Sequence, residues 1–284
     1  MRLLGVLEMV VVTAIWGSVS ILAIWSGLPS PVFVFFRVFI AFLILLAFLR
    51  EFDAKNFLRI SVFLSGIFLA LNWIALFYAV LLVPVAEAVM LYYTGPLLAV
   101  VIMHFLGERA GLARLGLAAA AFIGAVAVIK PFNISGSAGA LIALVSGVLY
   151  GLLIVTNKLA VRSLPPIRLV FYQTAIAAIV TAPFLFTTEF RLTPSGLAVA
   201  LTAALVNTLL ALYLWYDALK KISVHLASVL SYLDPVFATA FAYFLLGQAP
   251  SATALLGGTL VITGGVLSAL LEARKKGEFD LRPC

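Results

Sequence analysis

The sequence has little charge and almost no cysteine or histidine. Charged residues make up 10% of the 284 residues, whereas soluble domains carry about 25%. The single cysteine, Cys284, excludes a disulfide framework, and with two histidines no cluster has the spacing of metal ligands. No Gly-rich phosphate-binding loop with its lysine is present. These absences argue against a soluble enzyme, a metal centre and a nucleotide-driven energising domain, and we expect no cofactor.

The sequence instead contains many hydrophobic residues in long apolar runs. Hydrophobic residues account for 65% of the chain, and the mean hydropathy is +1.23. Apolar runs recur along the whole sequence, most of them long enough to cross roughly 30 Å of hydrocarbon as a helix. We therefore predict an all-α polytopic membrane protein with ten transmembrane helices. Their predicted bounds are about 3–26, 31–49, 59–81, 86–106, 114–130, 138–157, 168–187, 196–216, 224–246 and 252–271.

Basic residues are distributed unevenly between the two ends of these helices. With the N-terminus in the cytoplasm, fifteen Lys and Arg residues fall on the inner side and two, Lys130 and Arg191, on the outer side, with Arg37 inside a helix. Cytoplasmic loops are enriched in Lys and Arg, so both termini are predicted to be cytoplasmic in a cell (inner) membrane. Because orientation explains the net charge of +7, we expect no nucleic-acid partner. The inner set is Arg2, Arg50, Lys55, Arg59, Arg109, Arg114, Lys158, Arg162, Arg168, Lys220, Lys221, Arg274, Lys275, Lys276 and Arg282.

Two similar stretches, 88–108 and 227–248, organise the chain. When Pro96 is aligned on Pro235, Tyr93 falls on Tyr232. A proline in the middle of an apolar span breaks a helix unless neighbouring groups satisfy the freed backbone. Interrupted helices at corresponding places in two halves are the best sequence pointer to a transporter's binding site. We predict helix breaks at Pro96 and Pro235.

The repeat predicts two five-helix domains. Residues 1–131 would form the first, residues 132–272 the second, and residues 273–284 a cytoplasmic C-terminal tail. Five is an odd number, so consecutive halves must lie upside down relative to each other. Inverted repeats of this kind permit alternating access around a shared site near the middle of the membrane.

Several short motifs recur within this duplicated arrangement. They are Trp16-Gly17, Arg37, Pro96 with Phe-Leu-Gly-Glu at 105–108, and Asp234-Pro235 with Phe-Leu-Leu-Gly at 244–247. With these motifs the sequence resembles the EamA-type ten-helix carriers of the drug/metabolite transporter superfamily. The resemblance covers nearly the whole chain, about residues 5–271. It implies secondary transport or export of small metabolites, amino acids among them.

Ionisable residues inside apolar spans are functional candidates because their burial is costly. Asp234, immediately before Pro235, could carry a proton or accept hydrogen bonds near the helix break. Glu8 and Glu87 are further proton-coupling candidates, although Glu87 could simply stabilise a helix N-terminus. Arg37 could bind a substrate carboxylate, or its side chain could extend to the interface or pair with an acidic residue.

Amide and aromatic side chains within the spans are candidates for lining the substrate site. Asn72 and Asn207 occupy the third helix of each half, where they could contact substrate or join helices. The predicted substrate-binding set is Trp16, Arg37, Asn72, Tyr92, Tyr93, Tyr150, Asn207 and Tyr232. Weaker candidates are Gln173, Tyr213 and Ser231.

Small residues at helical spacing predict close helix packing in the last helix of each half. The two sets are Gly116, Ala120 and Gly124 in the first half, and Gly257, Gly265 and Ala269 in the second.

We therefore predict a secondary transporter of small organic metabolites rather than an enzyme. Its partners would be the lipid bilayer and a small-molecule substrate, with protons as the candidate coupling ion. The mixed charges of Arg37 and Asp234 suit a zwitterion such as an amino acid better than a phosphate ester.

A passive facilitator or channel remains an alternative. An integral-membrane lipid-modifying enzyme is disfavoured, because no Ser/His/Asp or metal-ligand pattern appears.

Overall fold

The computed structural model describes residues 2–49, 52–107, 111–128, 134–161, 163–221 and 230–275. All regular secondary structure in these ranges is helical, which confirms the predicted all-α class. Several residues used in the sequence analysis lie outside them: Arg50, Glu108, Arg109, Lys130, Arg162, Lys276, Arg282 and Cys284.

The first part of the chain forms seven α-helices and one short 3₁₀ helix, Ala54–Leu58, within the described ranges. The α-helices are α1 Arg2–Gly17, α2 Val19–Trp25, α3 Ser30–Phe48, α4 Ile60–Ala79, α5 Val85–Tyr92, α6 Gly95–Phe105 and α7 Leu112–Val128. Pro29 and Pro84 stand at the N-cap positions of α3 and α5 in extended backbone conformation. A fixed φ near −65° suits this place, and no helical hydrogen bond is lost there.

The described residues of the second part of the chain also form helices. It comprises α8 Ile134–Ala160, α9 Pro166–Thr181, α10 Phe184–Thr187, α11 Pro194–Thr202, a π-helix Ala203–Leu210, α12 Ala211–Lys221, α13 Asp234–Leu246 and α14 Ala252–Lys275. The segment from α11 through the π-helix to α12 is continuous. A π-helix of this length within a span was not predicted from the sequence.

Seven helical stretches in the described ranges are long and apolar enough to cross a membrane. They are Leu3–Trp25, Ser30–Phe48, Ile60–Ala79, Val85–Phe105, Ala138–Ala160, Pro166–Thr187 and Pro194–Trp215. The other three predicted spans correspond to α7 with 17 residues, α13 with 13 residues, and α14. The structure thus supports seven of the ten predicted spans at full length; part of the predicted span 224–246 lies outside the described residues.

Both proline-containing spans are interrupted next to their prolines. In the first, α5 ends at Tyr92 and α6 begins at Gly95, so that Pro96 is the second residue of α6. In the second, α13 begins at Asp234 and Pro235 is its second residue. At these positions proline lacks only an N–H that has no partner inside the helix.

Glycines allow the helices to approach closely at these interruptions. A Cβ added to Gly17 of α1 would lie 2.8 Å from the Phe237 Cβ and 2.9 Å from the Ala238 backbone nitrogen, both in α13. A Cβ on Gly151 of α8 would lie 2.9 Å from the Gly95 carbonyl oxygen at the start of α6. The Trp16-Gly17 and Tyr150-Gly151 pairs therefore make corresponding contacts, each with the broken helix of the other half.

The predicted small-residue packing is correct at one position and wrong at another. A Cβ on Gly265 of α14 would collide with the Tyr232 ring, so this glycine makes room for an aromatic side chain. A Cβ on Gly116 of α7 would meet nothing within 4 Å. Although α7 and α14 pack together along their length, Gly116 faces open space.

Gly147 of α8 provides a test of this close packing. A Cβ there would lie 2.7 Å from the Leu91 carbonyl oxygen and 2.8 Å from the Thr94 Oγ1. We expect Gly147→Ala to destabilise the protein by about 1–3 kcal/mol, because backbone must move. Thermal unfolding in detergent measures the change.

The matched control is Gly116→Ala, which adds the same methyl group to open space. It should leave the midpoint unchanged or raise it slightly, because alanine favours helix over glycine. Equal midpoints for the two variants would contradict the close packing at Gly147.

Candidate substrate-binding site

A cavity of about 240 Å³ lies among the long helices of both halves of the chain. Its wall includes side chains from α1, α3, α4, α5, α8, α9, the π-helix, α12 and α13. Among the described residues of this wall, Arg37 and Asp234 are the charged ones. Six of the eight predicted substrate-binding residues line it: Trp16, Arg37, Tyr92, Tyr93, Tyr150 and Asn207.

Arg37 is held at the cavity by three kinds of contact. Its Nε donates a hydrogen bond to Thr208 Oγ1 at 2.8 Å, and its Nη2 donates to the Asn207 carbonyl at 3.0 Å. Its guanidinium carbon lies 3.8 Å from the centre of the Trp73 ring, a cation–π contact. The side chain is 2% exposed, and it neither extends to the interface nor pairs with Glu87. The guanidinium has five N–H donors, so these contacts leave donors for a ligand.

The Asn207 carbonyl lies in the π-helix, and the backbone N–H of Ala211, four residues further on, donates to the carbonyls of Val206 and Thr208 instead of to it. In a π-helix the i→i+4 hydrogen-bond pattern is replaced by a wider turn, and Thr208 Oγ1 accordingly bonds back to Ala203 O at 3.2 Å. The Asn207 carbonyl also accepts a hydrogen bond from Trp16 Nε1 at 3.1 Å. One backbone oxygen therefore joins α1, α3 and the π-helix.

The Asn207 side chain is directed at the interruption between α1 and α2. Its Nδ2 donates to Ser18 Oγ at 3.0 Å and to the carbonyl of Ile15. Its Oδ1 is buried and has no hydrogen-bond partner among the described residues. Asn207 thus fixes the shape of the cavity wall next to Trp16 and Arg37.

Asp234 and Tyr93 form the other polar contact of the cavity. The Tyr93 hydroxyl donates to Asp234 Oδ2 at 2.6 Å. Asp234 is the first residue of α13, where the positive end of the helix dipole favours a carboxylate. Tyr93 lies in the break between α5 and α6, so the hydrogen bond connects the two interrupted spans.

Aromatic rings cover much of the remaining wall. Tyr92 and Tyr150 stack with ring centres 4.4 Å apart and planes inclined by 10°. Trp16 packs against Trp215 of α12 with ring centres 5.3 Å apart. The rings give the cavity flat apolar surfaces beside its two charged groups.

Two predicted substrate-binding residues do not line the cavity. Asn72 turns its amide back to its own helix, where Nδ2 donates to the Leu69 carbonyl at 3.0 Å. Tyr232 packs on Gly265 and contacts Tyr93 edge-on, at 5.7 Å between ring centres. Tyr213, a weaker candidate, is 66% exposed and also lies outside the wall.

Glu8 and Glu87 lie away from the cavity, in separate polar contacts. Glu8 forms an ion pair with Lys221 of α12, whose ammonium also donates to Asp217 Oδ2 at 2.6 Å. Two hydrogen bonds, the one to Asp217 having the larger effect and the one to Glu8 the smaller, raise the pKa of Lys221 above its usual value. The ammonium group therefore stays protonated at neutral pH. Glu87 accepts a hydrogen bond from Ser251 Oγ at 2.8 Å.

Pro96 and Pro235 also lie outside the wall and shape it by starting α6 and α13.

Sequence reasoning missed several residues of the wall. Trp73, Asn157, Thr208 and Trp215 were not named as candidates, and Gln173 was rated weak. Trp73 follows Asn72 directly, and Thr208 follows Asn207 directly. The residues next to an Asn or Arg in an apolar span could have been considered as candidates for the wall, which would have included Trp73 and Thr208. The π-helix that contains Thr208, however, has no sequence pattern of its own.

The chain matches a family model twice. Residues 3–130 and residues 137–270 each match the EamA-like transporter family. The chain belongs to this family. It is therefore a multi-pass membrane transporter and not an enzyme, as predicted.

Relatives within the EamA-like family are distant in sequence but similar in length. The pseudopaline exporter CntI of Pseudomonas aeruginosa is 29% identical over 89% of both chains. The S-adenosylmethionine uptake transporter of Rickettsia felis is 26% identical over 80% of this chain and 79% of that one. A protein of known crystal structure, 24% identical, has a TM-score of 0.66 and covers 97% of this chain and 99% of its own. The last comparison shows a shared fold and nothing further.

Removal of the Thr208 hydroxyl tests how Arg37 is held. In Thr208→Val the Arg37 Nε loses its acceptor, and a buried charged donor without a partner costs about 1.5–3 kcal/mol. We expect a lower midpoint of thermal unfolding for this variant. Thr208→Ser keeps the hydroxyl and should unfold close to the unmodified protein; equal losses in the two variants would show that the hydroxyl does not matter.

Proposed function

We propose that this EamA-like protein is a secondary transporter of small zwitterionic solutes, with amino acids and related compounds as the substrate class. The observation that carries the proposal is the charge of the cavity wall. Its charged groups among the described residues are one guanidinium, Arg37, and one carboxyl, Asp234. A solute with a carboxylate and an ammonium group complements both.

The arrangement of the two charged groups supports this complementarity. Arg37 and Asp234, both within the described chain, make no ion pair with each other. Each is instead hydrogen-bonded to neutral groups: Arg37 to Thr208 and to a carbonyl, and Asp234 to Tyr93. A solute carboxylate can use the remaining guanidinium donors, and charge-assisted hydrogen bonds of this kind are the stronger ones.

The size of the cavity favours a small solute. Sites for drug-sized ligands are about 300–1,000 Å³, and this cavity is about 240 Å³. Its flat aromatic surfaces suit the apolar part of an amino acid. One relative is named for uptake and another for export. We propose that the solute and ion gradients across the membrane set the direction of flux.

We propose alternating access between two inverted five-helix halves, residues 1–131 and 132–272. Ten transmembrane helices with both termini in the cytoplasm are part of this proposal. The reciprocal contacts of Gly17 with α13 and of Gly151 with the start of α6 support it. Each interrupted helix lies against the first helix of the other half, so the two halves could exchange conformations around the cavity.

Within this mechanism Asp234 is the first candidate for proton coupling. It lines the cavity, and its hydrogen bond with Tyr93 joins both interrupted spans. A change of its charge would therefore act on the solute and on the helices that must move. Glu8 and Glu87 lie in contacts away from the cavity, where they could respond to opening of either side.

Transport by purified protein in liposomes tests the proposed substrate class. The panel would contain amino acids, sugar phosphates, nucleobases and cationic drugs, with and without a pH gradient. We expect saturable transport of amino acids. Arg37→Gln should raise the KM for an amino acid at least about tenfold, because a charge-assisted hydrogen bond to the carboxylate is lost.

The matched probe for Arg37 is the amine that lacks only the carboxylate of the amino acid. Its transport should change little in Arg37→Gln if the guanidinium binds the carboxylate. Equal losses for both probes would indicate a purely structural Arg37. Transport of sugar phosphates without any amino acid would overturn the proposed class.

Asp234→Asn separates coupled transport from passive facilitation. We expect the unmodified protein to concentrate its solute when a pH gradient is imposed. The variant should still exchange labelled for unlabelled solute but should no longer concentrate it, because the amide cannot bind a proton. Unchanged accumulation in Asp234→Asn would exclude this carboxyl as the coupling site. An unmodified protein that only equilibrates its solute would instead be a facilitator.

A further inference from the structure

A pair of side-chain amides forms a separate polar feature of the cavity wall. Asn157 belongs to α8 and Gln173 to α9, and both line the same cavity as Arg37 and Asp234. Gln173 Nε2 donates a hydrogen bond to Asn157 Oδ1. The pair plays no part in holding either charged group.

These amides retain unused hydrogen-bonding capacity. A primary amide has two donor hydrogens and an acceptor oxygen, and the bond between them occupies one donor of Gln173 and one acceptor site of Asn157. Among the described residues, no other group is hydrogen-bonded to either side-chain amide. Gln173 Oε1 and Asn157 Nδ2 can therefore offer one acceptor and one donor side to a ligand.

The position of the pair indicates a role beyond helix packing. α8 packs mainly on α4, whereas α9 packs on α3 and α4 alike, and α8 and α9 make few direct contacts with each other. Gln173 and Asn157 therefore meet across a gap between two helices that are held apart by a third. Among their sequence neighbours in the wall, Leu153 and Val170 are apolar. Thr174, which also lines the cavity, donates its hydroxyl hydrogen bonds to carbonyls of its own helix.

We infer that Asn157 and Gln173 select the side chain of the transported solute, and that they take a neutral hydrogen-bonding group such as a carboxamide or a hydroxyl. The inference rests on the proposed function, in which Arg37 and Asp234 bind the charged ends of the same solute. The neutrality of the pair disfavours a charged side chain, because a buried ion beside neutral amides has no counter-charge there. Glutamine is preferred to glutamate, lysine or methionine on these grounds.

Competition between glutamine and methionine measures this selection. The two amino acids are similar in length, and methionine lacks the carboxamide. In proteoliposomes with unmodified protein we expect kcat/KM for glutamine to exceed that for methionine about tenfold, as one or two hydrogen bonds would give. In Gln173→Met the ratio should fall to about one, through loss of glutamine transport with methionine transport retained.

Two further variants guard against misfolding and indirect effects. Asn157→Leu removes the other amide and should lower the same ratio. Thr181→Val changes α9 two turns away, where, among the described residues, the hydroxyl bonds only to the carbonyls of Ala177 and Ala178 in its own helix. In Thr181→Val the ratio of kcat/KM for glutamine to that for methionine should equal the ratio of the unmodified protein.

The outcomes distinguish this inference from the proposed function. If Gln173→Met and Asn157→Leu lower transport of both amino acids equally, the amides only join α8 to α9 and the inference is overturned. The proposed function would stand in that case. If the unmodified protein transports no amino acid at all, the proposed function fails and the inference fails with it.

Discussion

A guanidinium group inside an apolar helix bundle needs hydrogen-bond acceptors that a regular helix does not offer. In this protein the acceptors come from the π-helix, through the carbonyl of Asn207 and the hydroxyl of Thr208. The same carbonyl accepts from Trp16, so that α1 and α3 are fixed to one point of the second half of the chain. The cavity is built around this point: Trp73 covers the guanidinium on one side, and the stacked tyrosines form a wall nearby.

The two charged groups of the cavity are hydrogen-bonded to neutral groups of the protein. An unpaired charge inside an apolar bundle would be costly. A direct ion pair between Arg37 and Asp234 would occupy the groups that the proposed zwitterionic solute requires. Hydrogen bonds to a hydroxyl, a carbonyl and a tyrosine hold both residues in the cavity wall.

The helices were largely predictable from the sequence, because apolar length and proline position depend on local chemistry. Trp16, Arg37, Tyr92, Tyr93, Tyr150, Asn207 and Asp234 were predicted and share one wall. Asn72 was placed there by its correspondence to Asn207, but an amide inside a helix can bond to the preceding turn, and Asn72 does so. Gly116 and Gly265 show the same limit: helical spacing identifies small residues, but only the tertiary structure decides what faces them. Trp73 and the Asn157–Gln173 pair depend on contacts between helices that are distant in the sequence.

The π-helix also determines which side of the following helix faces inwards. A π turn takes up about one residue more than an α turn, and one residue corresponds to about 100° of rotation around a helix axis. Without Ala203–Leu210 in this conformation, α12 would be turned by that angle. Trp215 would then leave Trp16, and Lys221 would leave Glu8, although these residues come twelve and eighteen positions after the π-helix begins at Ala203. An irregular helical segment beside the cavity thus determines which residues make the contacts at the far end of the same span.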